Sequence, residues 1–325
     1  MATLSHEAFR RIVEKFGDCD EHFTEMINAS SLLNMGPFEK YYLLNGPCPQ
    51  KIVWQLTGYD KDSLAKSVPV VCNKGGIGID INMGCSAPQI YKTGAGIAWM
   101  LKPVTETAQA VHDIKKALIQ KEKDDNTHYR LSVKCRLGAE DFTEESFFNF
   151  TDMLVSEGVE MITLHPRTIK EKNRLTPKFI YAQKLKERHP DIKVILNGNI
   201  KDTTSAVNAL KTAPMCDGLM IAREAAVKPW IFNQIKNQLN NPEYQKNHIV
   251  DRKQLALDFI DYVVQYQPQE FWKTRIQRFF TYYCQQFTFA HYFQSKMLNY
   301  KSIEDCRIQI EDYFSKEPED RIYYY

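Results

Sequence analysis

Short apolar runs return along this chain at roughly 25–50 residue intervals, each followed by a stretch of helical periodicity. They lie at 22–27 (HFTEMI), 51–58 (KIVWQLTG), 77–84 (IGIDINMG), 129–138 (YRLSVKCRLG), 159–165 (VEMITLH), 192–199 (IKVILNGN) and 217–222 (DGLMIA). Near-continuous apolar character is what strands show when both faces of their sheet are buried. Strands alternating with helices make right-handed βαβ units and a parallel sheet. An open doubly wound sheet would satisfy this pattern. The even alternation, with polar residues at the C-terminal end of each run, favours a (β/α)8 TIM barrel. Seven runs are visible, so the first strand of such a barrel is expected to be truncated, lying before Met1. A barrel short of one strand leaves two edges unpaired.

The first helix is marked by Phe9, Ile12, Val13 and Phe16 at helical spacing and closed by Gly17. Past residue 244 the strand signal ends. Leu255, Phe259, Ile260 and Val263 form one helical stripe, and Trp272, Ile276, Phe279 and Tyr283 form another. The expected division is a catalytic barrel over 1–244 and an all-helical domain over 245–325.

Composition excludes several classes. Apolar content of 43% with 25% charged residues is ordinary for a folded domain and argues against disorder or a fibrous protein. A net charge of +2 does not by itself point to nucleic acid. No signal-like or bilayer-length apolar run occurs, so a cytoplasmic protein without membrane contact is expected. The eight cysteines contain no CxxC pair, which argues against zinc, iron–sulfur or a disulfide framework, and no metal is expected.

The chemistry should sit where the strands end. Gln55, Asn82, Cys85, Lys134, Arg136, His165, Arg167 and the Asn197-Gly198-Asn199 turn all follow or close an apolar run, as does Ala222-Arg223. In a barrel these converge on one face. A Gly-containing turn there offers backbone N–H groups to a phosphate, and a lysine inside an apolar strand is costly unless something answers its charge. Taken singly, each has a blander reading: a strand-end amide that satisfies its own loop, a core histidine, an inert thiol.

Together, DINMGC-x-x-P with its trailing GAG, VKCRLG, LHPRT, NGNI and MIAREAAVKPWIF resemble, in order and spacing, the tRNA-dihydrouridine synthases. The resemblance runs from Met1 to about residue 235. Ser86 stands where the family usually has Pro, Pro166 where Gly is common, and Ala222 where Gly is usual. The resemblance implies an FMN-dependent barrel oxidoreductase that reduces the 5,6 double bond of uridines in tRNA, with NADPH (or NADH) as reductant. It implies Cys85 as proton donor, and FMN contacts from Gln55, Lys134, His165, Asn197, Gly198, Asn199, Ala222 and Arg223. Substrate contacts are expected from Asn82, Arg136 and Arg167, and from Arg275 and Arg278 of the helical domain, in a monomer that binds tRNA. Two alternatives stay open on the residues: a flavin barrel enzyme acting on a free pyrimidine, similar to dihydroorotate dehydrogenases, and a tRNA-binding protein impaired in catalysis.

Overall fold

Every apolar run of the sequence becomes a strand. The computed structural model describes residues 1–139, 142–171, 175–241, 243–244 and 247–325. The strands are β1 (His22–Phe23), β2 (Ile27–Asn28), β3 (Ile52–Thr57), β4 (Gly78–Met83), β5 (Arg130–Gly138), β6 (Met161–Thr168), β7 (Lys193–Asn197) and β8 (Gly218–Met220). They form one sheet in the order β1-β3-β4-β5-β6-β7-β8, with β2 also paired to β3. β1 and β2 are two pieces of the same apolar run, so the sheet is seven positions wide. All registers from β2 to β8 are parallel. The α/β class and its parallel, curling sheet are as expected. Among the described residues β8 does not pair with β1, so the sheet is open along that seam.

Backbone packing resolves the chain into two compact units. Phe23–Ile221 holds the sheet and its crossover helices. Helix Lys61–Cys72 begins at an Asp60 cap whose carboxylate accepts from Ser63 N at 2.9 Å, and Pro69 falls inside its last turn. It lies beside helix Val104–Asp125, and the two bury Leu64, Val68 and Val71 with Ala110, Ile114 and Leu118. Asp202 closes a capping box on helix Thr203–Thr212. The strands alternate more than their composition suggests: β4 buries Ile79, Ile81 and Met83 at odd positions, with Asp80 and Asn82 between them.

The second unit joins Met1–His22 to Ala222–Tyr325. A division at 244/245 therefore does not follow the packing, and Gln245 itself lies outside the described residues. The cause is the apolar face of helix Glu7–Glu14. Its Phe9 ring sits 6.4 Å from Phe279, the Arg11 guanidinium lies 4.1 Å over Tyr266, and Lys15 pairs with Asp258. Burying Ile12 completely there is worth about 2 kcal/mol. The unit's core is aromatic: Phe259 stacks on Phe279 at 3.8 Å and Phe293 on Tyr313 at 4.2 Å. A two-stranded antiparallel ribbon, β9 (Ile249–Asp251) with β10 (Ile322–Tyr324), brings the ends of this segment together. No described helix is long and apolar enough to cross a membrane.

His6 is buried in this unit, and neither ring nitrogen has a hydrogen-bond partner. Burial first, then Arg275 and Arg10, hold its pKa well below the ordinary 6.5. A folded-state pKa below the unfolded one means that the unfolded chain takes up the proton first, so stability falls as pH drops through about 6.5, by up to about 1.4 kcal/mol per pH unit. His6→Leu should remove that component. Urea unfolding at pH 7.5 and 5.5 should show the stability difference between the two proteins changing with pH; a pH-independent difference would contradict the neutral histidine.

Candidate active site

Strand register assembles the site before any side chain is considered. In parallel strands, paired residues point to the same face. Gln55 pairs with Asp80 and Asp80 with Ser132, which makes one row across β3, β4 and β5. Asn82 pairs with Lys134 and Lys134 with Thr163, making a second row nearer the strand ends. Arg136 opposite His165 begins a third. All these residues belong to the sheet unit.

The first row holds a fully buried carboxylate. Asp80 accepts from Ser132 Oγ at 2.8 Å and from Gln55 Nε2 at 2.7 Å. Burial pushes its pKa up to about 6, opposed by the hydrogen bonds from Gln55 and Ser132 and by the charge of Lys134. Gln55 then turns its carbonyl outward, where Oε1 accepts from Asn82 Nδ2 at 3.0 Å. Asn82 Oδ1 in turn accepts from the backbone N–H of Cys85 at 2.9 Å and of Gly84 at 3.3 Å.

The Cys85 loop is held from three sides. Arg136 Nε donates to Gly84 O at 2.9 Å, and Ile97 N donates to Cys85 O at 3.0 Å. Gly96 makes the second closure possible: its φ is +62°, and a Cβ there would meet Cys85 O at 2.5 Å. The GAG of the sequence thus presses its second glycine against the cysteine, and the turn continues as a 3-10 helix, Gly96–Met100. Cys85 itself is partly exposed.

The Lys134 ammonium has no hydrogen-bond or ion-pair partner among the described residues. Burial, then the like charge of Arg136, lowers its pKa to about 8, while Asp80 works in the opposite sense. Beside it, Thr163 Oγ1 is buried without a hydrogen-bond partner. His165 is buried, and its Nε2 lies 2.7 Å from Arg167 Nη1. A guanidinium can only donate, so Nε2 accepts and the ring proton resides on Nδ1. Arg167, expected at the substrate, is fully buried and also donates from Nε to Leu175 O. Its observed contacts orient the histidine.

On the next strand, Asn197 Nδ2 donates to Met220 O at 2.9 Å. Gly198 and Asn199 follow with φ of +123° and +53°. Ala222 and Arg223 belong to the other unit, where they open the short helix Arg223–Val227. On helix Gln269–Tyr283 of that unit, Arg275 is 2% exposed, with its guanidinium 4.9 Å from the Phe271 ring. A buried guanidinium is poorly placed for a phosphate contact, whereas Arg278 and Lys273 are exposed.

Asp80, Ser132 and Thr163 were not singled out from the sequence. A carboxylate inside an apolar run was the available signal for the first of them; nothing distinguishes the two hydroxyls. A half-buried cation, an orphaned hydroxyl and a histidine of fixed tautomer, converging from adjacent rows, suit a flat, electron-rich, hydrogen-bonding ring such as a flavin.

A Cβ at Gly198 would meet His165 Cδ2 at 3.0 Å and Arg167 Nη1 at 3.3 Å, in a backbone region almost confined to glycine. Gly17, at φ +72°, has nothing within 4 Å. Gly198→Ala should therefore cost about 1–3 kcal/mol by urea unfolding, more than Gly17→Ala, which meets backbone strain alone. Equal costs would mean that the His165 contact yields freely.

Residues 1–317 match the family described as Dihydrouridine synthase (Dus). The chain is 27% identical over 239 residues to the tRNA-dihydrouridine(20/20a) synthase of Xanthomonas axonopodis pv. citri, covering 70% of this chain and 67% of that protein. It is 25% identical over 323 residues to the probable tRNA-dihydrouridine synthase 2 of Bacillus subtilis, covering 97% and 93%. It is 30% identical over 264 residues to a probable tRNA-dihydrouridine synthase of Helicobacter pylori, covering 79% and 73%. The chain belongs to the dihydrouridine synthase family.

Proposed function

We propose that this protein reduces the 5,6 double bond of uridines in tRNA, using FMN with NADPH (or NADH) as reductant, and that Cys85 delivers a proton to C5 of the uracil. The observation that carries the reading is the Cys85 loop, clamped by Asn82, Arg136 and Gly96 at the mouth of rows that present Lys134 and His165. FMN, when bound, supplies the hydride that goes to C6. The proton completing the reduction then comes from Cys85 Sγ, acting as general acid. Gln55, Lys134, His165 and the Asn197-Gly198-Asn199 turn would hold the cofactor, with Ala222 and Arg223 assigned to its phosphate by motif match alone. The Lys134 ammonium would face negative charge near N1 and O2 of the ring. The substrate uridine has to leave its stack, at a cost of a few kcal/mol. Exposed Arg278 and Lys273 are the cations we assign to the tRNA backbone.

The relatives' names support tRNA over a free pyrimidine as substrate. Incubating the protein with FMN, NADPH and unmodified tRNA should yield dihydrouridine detectable by nucleoside mass spectrometry. Cys85→Ala should keep its flavin and lose product formation by about 100-fold or more. A mutant with full activity would remove Cys85 from the chemistry, and a protein that cannot take up FMN would remove the flavin reading.

Lys134 should impose a pH limit. Protonated below about 8 and neutral above it, it would cease to balance a negative ring as pH rises. The rate of product formation in a single turnover of pre-reduced enzyme should fall above pH 8. Lys134→Arg, which keeps its charge, should carry the rate to higher pH. An unchanged profile in that variant would place the titration elsewhere.

A further inference from the structure

The Cys85 loop is tied to a residue that never reaches it. Asp80 lies one row below the reacting end, fully buried, on the same strand face as Asn82. Three hydrogen bonds lead from it to the backbone of Cys85: Gln55 Nε2 to Asp80 Oδ2, Asn82 Nδ2 to Gln55 Oε1, and Cys85 N to Asn82 Oδ1, at 2.7, 3.0 and 2.9 Å. Two of the linking side chains are primary amides, each with a donor end and an acceptor end that differ little in shape. Nothing in either amide decides which way round it sits. An ionised carboxylate decides, because it can only accept.

With Asp80 accepting, Gln55 must present its NH2 group inward and its carbonyl outward. Asn82 must then present its own NH2 to Gln55 and its carbonyl to the loop. Reversing Gln55 would reverse Asn82 as well, setting an NH2 group against the N–H groups of Gly84 and Cys85, donor against donor. Ser132 occupies the other oxygen of Asp80, so the carboxylate is anchored from the side opposite the chain.

We propose that Asp80 is a positioning residue for the reaction: it fixes the donor–acceptor sense of Gln55 and Asn82 and thereby holds the backbone that carries Cys85. The catalytic meaning rests on Cys85 being the proton donor; the structural coupling does not. The test therefore uses a readout independent of turnover, the rate at which iodoacetamide alkylates Cys85, followed by peptide mass spectrometry on the full-length protein without tRNA.

Asp80→Leu should raise the Cys85 alkylation rate at least five-fold and, in the tRNA assay, lower kcat at least ten-fold while KM for tRNA stays within three-fold. Asp80→Asn can still offer its carbonyl to Gln55, its sense set by Ser132, whose hydroxyl can donate to Ile79 O and accept from the new NH2, and should stay within three-fold of the parent in alkylation rate and kcat. Gln55→Met cuts the chain one link later and should reproduce the alkylation increase, which keeps the test alive if Asp80→Leu does not fold. In an Asn82→Ala background, Asp80→Leu should add less than two-fold. The proposal is overturned if Asp80→Leu or Gln55→Met alkylates at the parent rate, or if Asp80→Leu multiplies the effect of Asn82→Ala. It is equally overturned if Asp80→Asn is as damaged as Asp80→Leu, since charge rather than hydrogen-bond sense would then matter. Absence of dihydrouridine formation in the parent protein, with the alkylation pattern as expected, would count against the proposed function and leave the coupling standing.

Discussion

A carboxylate with no solvent exposure, set in the middle of a parallel strand, has to be answered by its neighbours. Around Asp80 they answer on every side: a hydroxyl from β5, an amide from β3, and the field of the Lys134 ammonium one row above. The opposing shifts of Asp80 and Lys134, each pushed toward neutrality by burial, show that neither charge is comfortable alone. A polar row of this kind can exist only where strand pairing brings its members opposite one another. The register of β3, β4, β5 and β6 is therefore as much a part of the site as the side chains. A slip of one residue in any of these strands would turn its polar members toward the helices and its apolar ones toward the site.

How much of this was legible depended on whether the determining interaction was local. Strands and their parallel arrangement could be read because burial on both faces leaves a mark in every run, and seven runs became seven sheet positions. Gln55, Asn82, Lys134, Arg136 and His165 could be placed because strand ends are short and their polar residues few. The register that sets Asn82 against Lys134, and Lys134 against Thr163, is not written in any one strand. Arg167 shows the same limit: nothing in the sequence around it announces its contacts with His165 and Leu175. Arg275 sits on the apolar side of its helix beside Phe271 and Ile276, so its burial was there to be noticed in the helical phase.

The placement of Met1–His22 marks a different limit. The stripe of Phe9, Ile12 and Val13 announces an apolar face but not its partner. The preference for the aromatic helices near the C-terminus over the neighbouring strands in sequence is a tertiary choice. Such a pairing joins segments more than 200 residues apart, so this helix can be secured only after the tail exists.

The bond from Ile97 N to Cys85 O, pressed home by Gly96, closes the loop between them at its base. Residues 86–95 form an enclosed excursion between two feet, one held by Asn82 and Arg136 and the other by the bond from Ile97 N, with Ile90 packed beside Gly96. Sequence within such an excursion can drift without moving the thiol, provided both feet stay in place. The groups that hold the backbone at Cys85 are Asn82, Arg136 and Gly96, and the residue at position 86 is not among them.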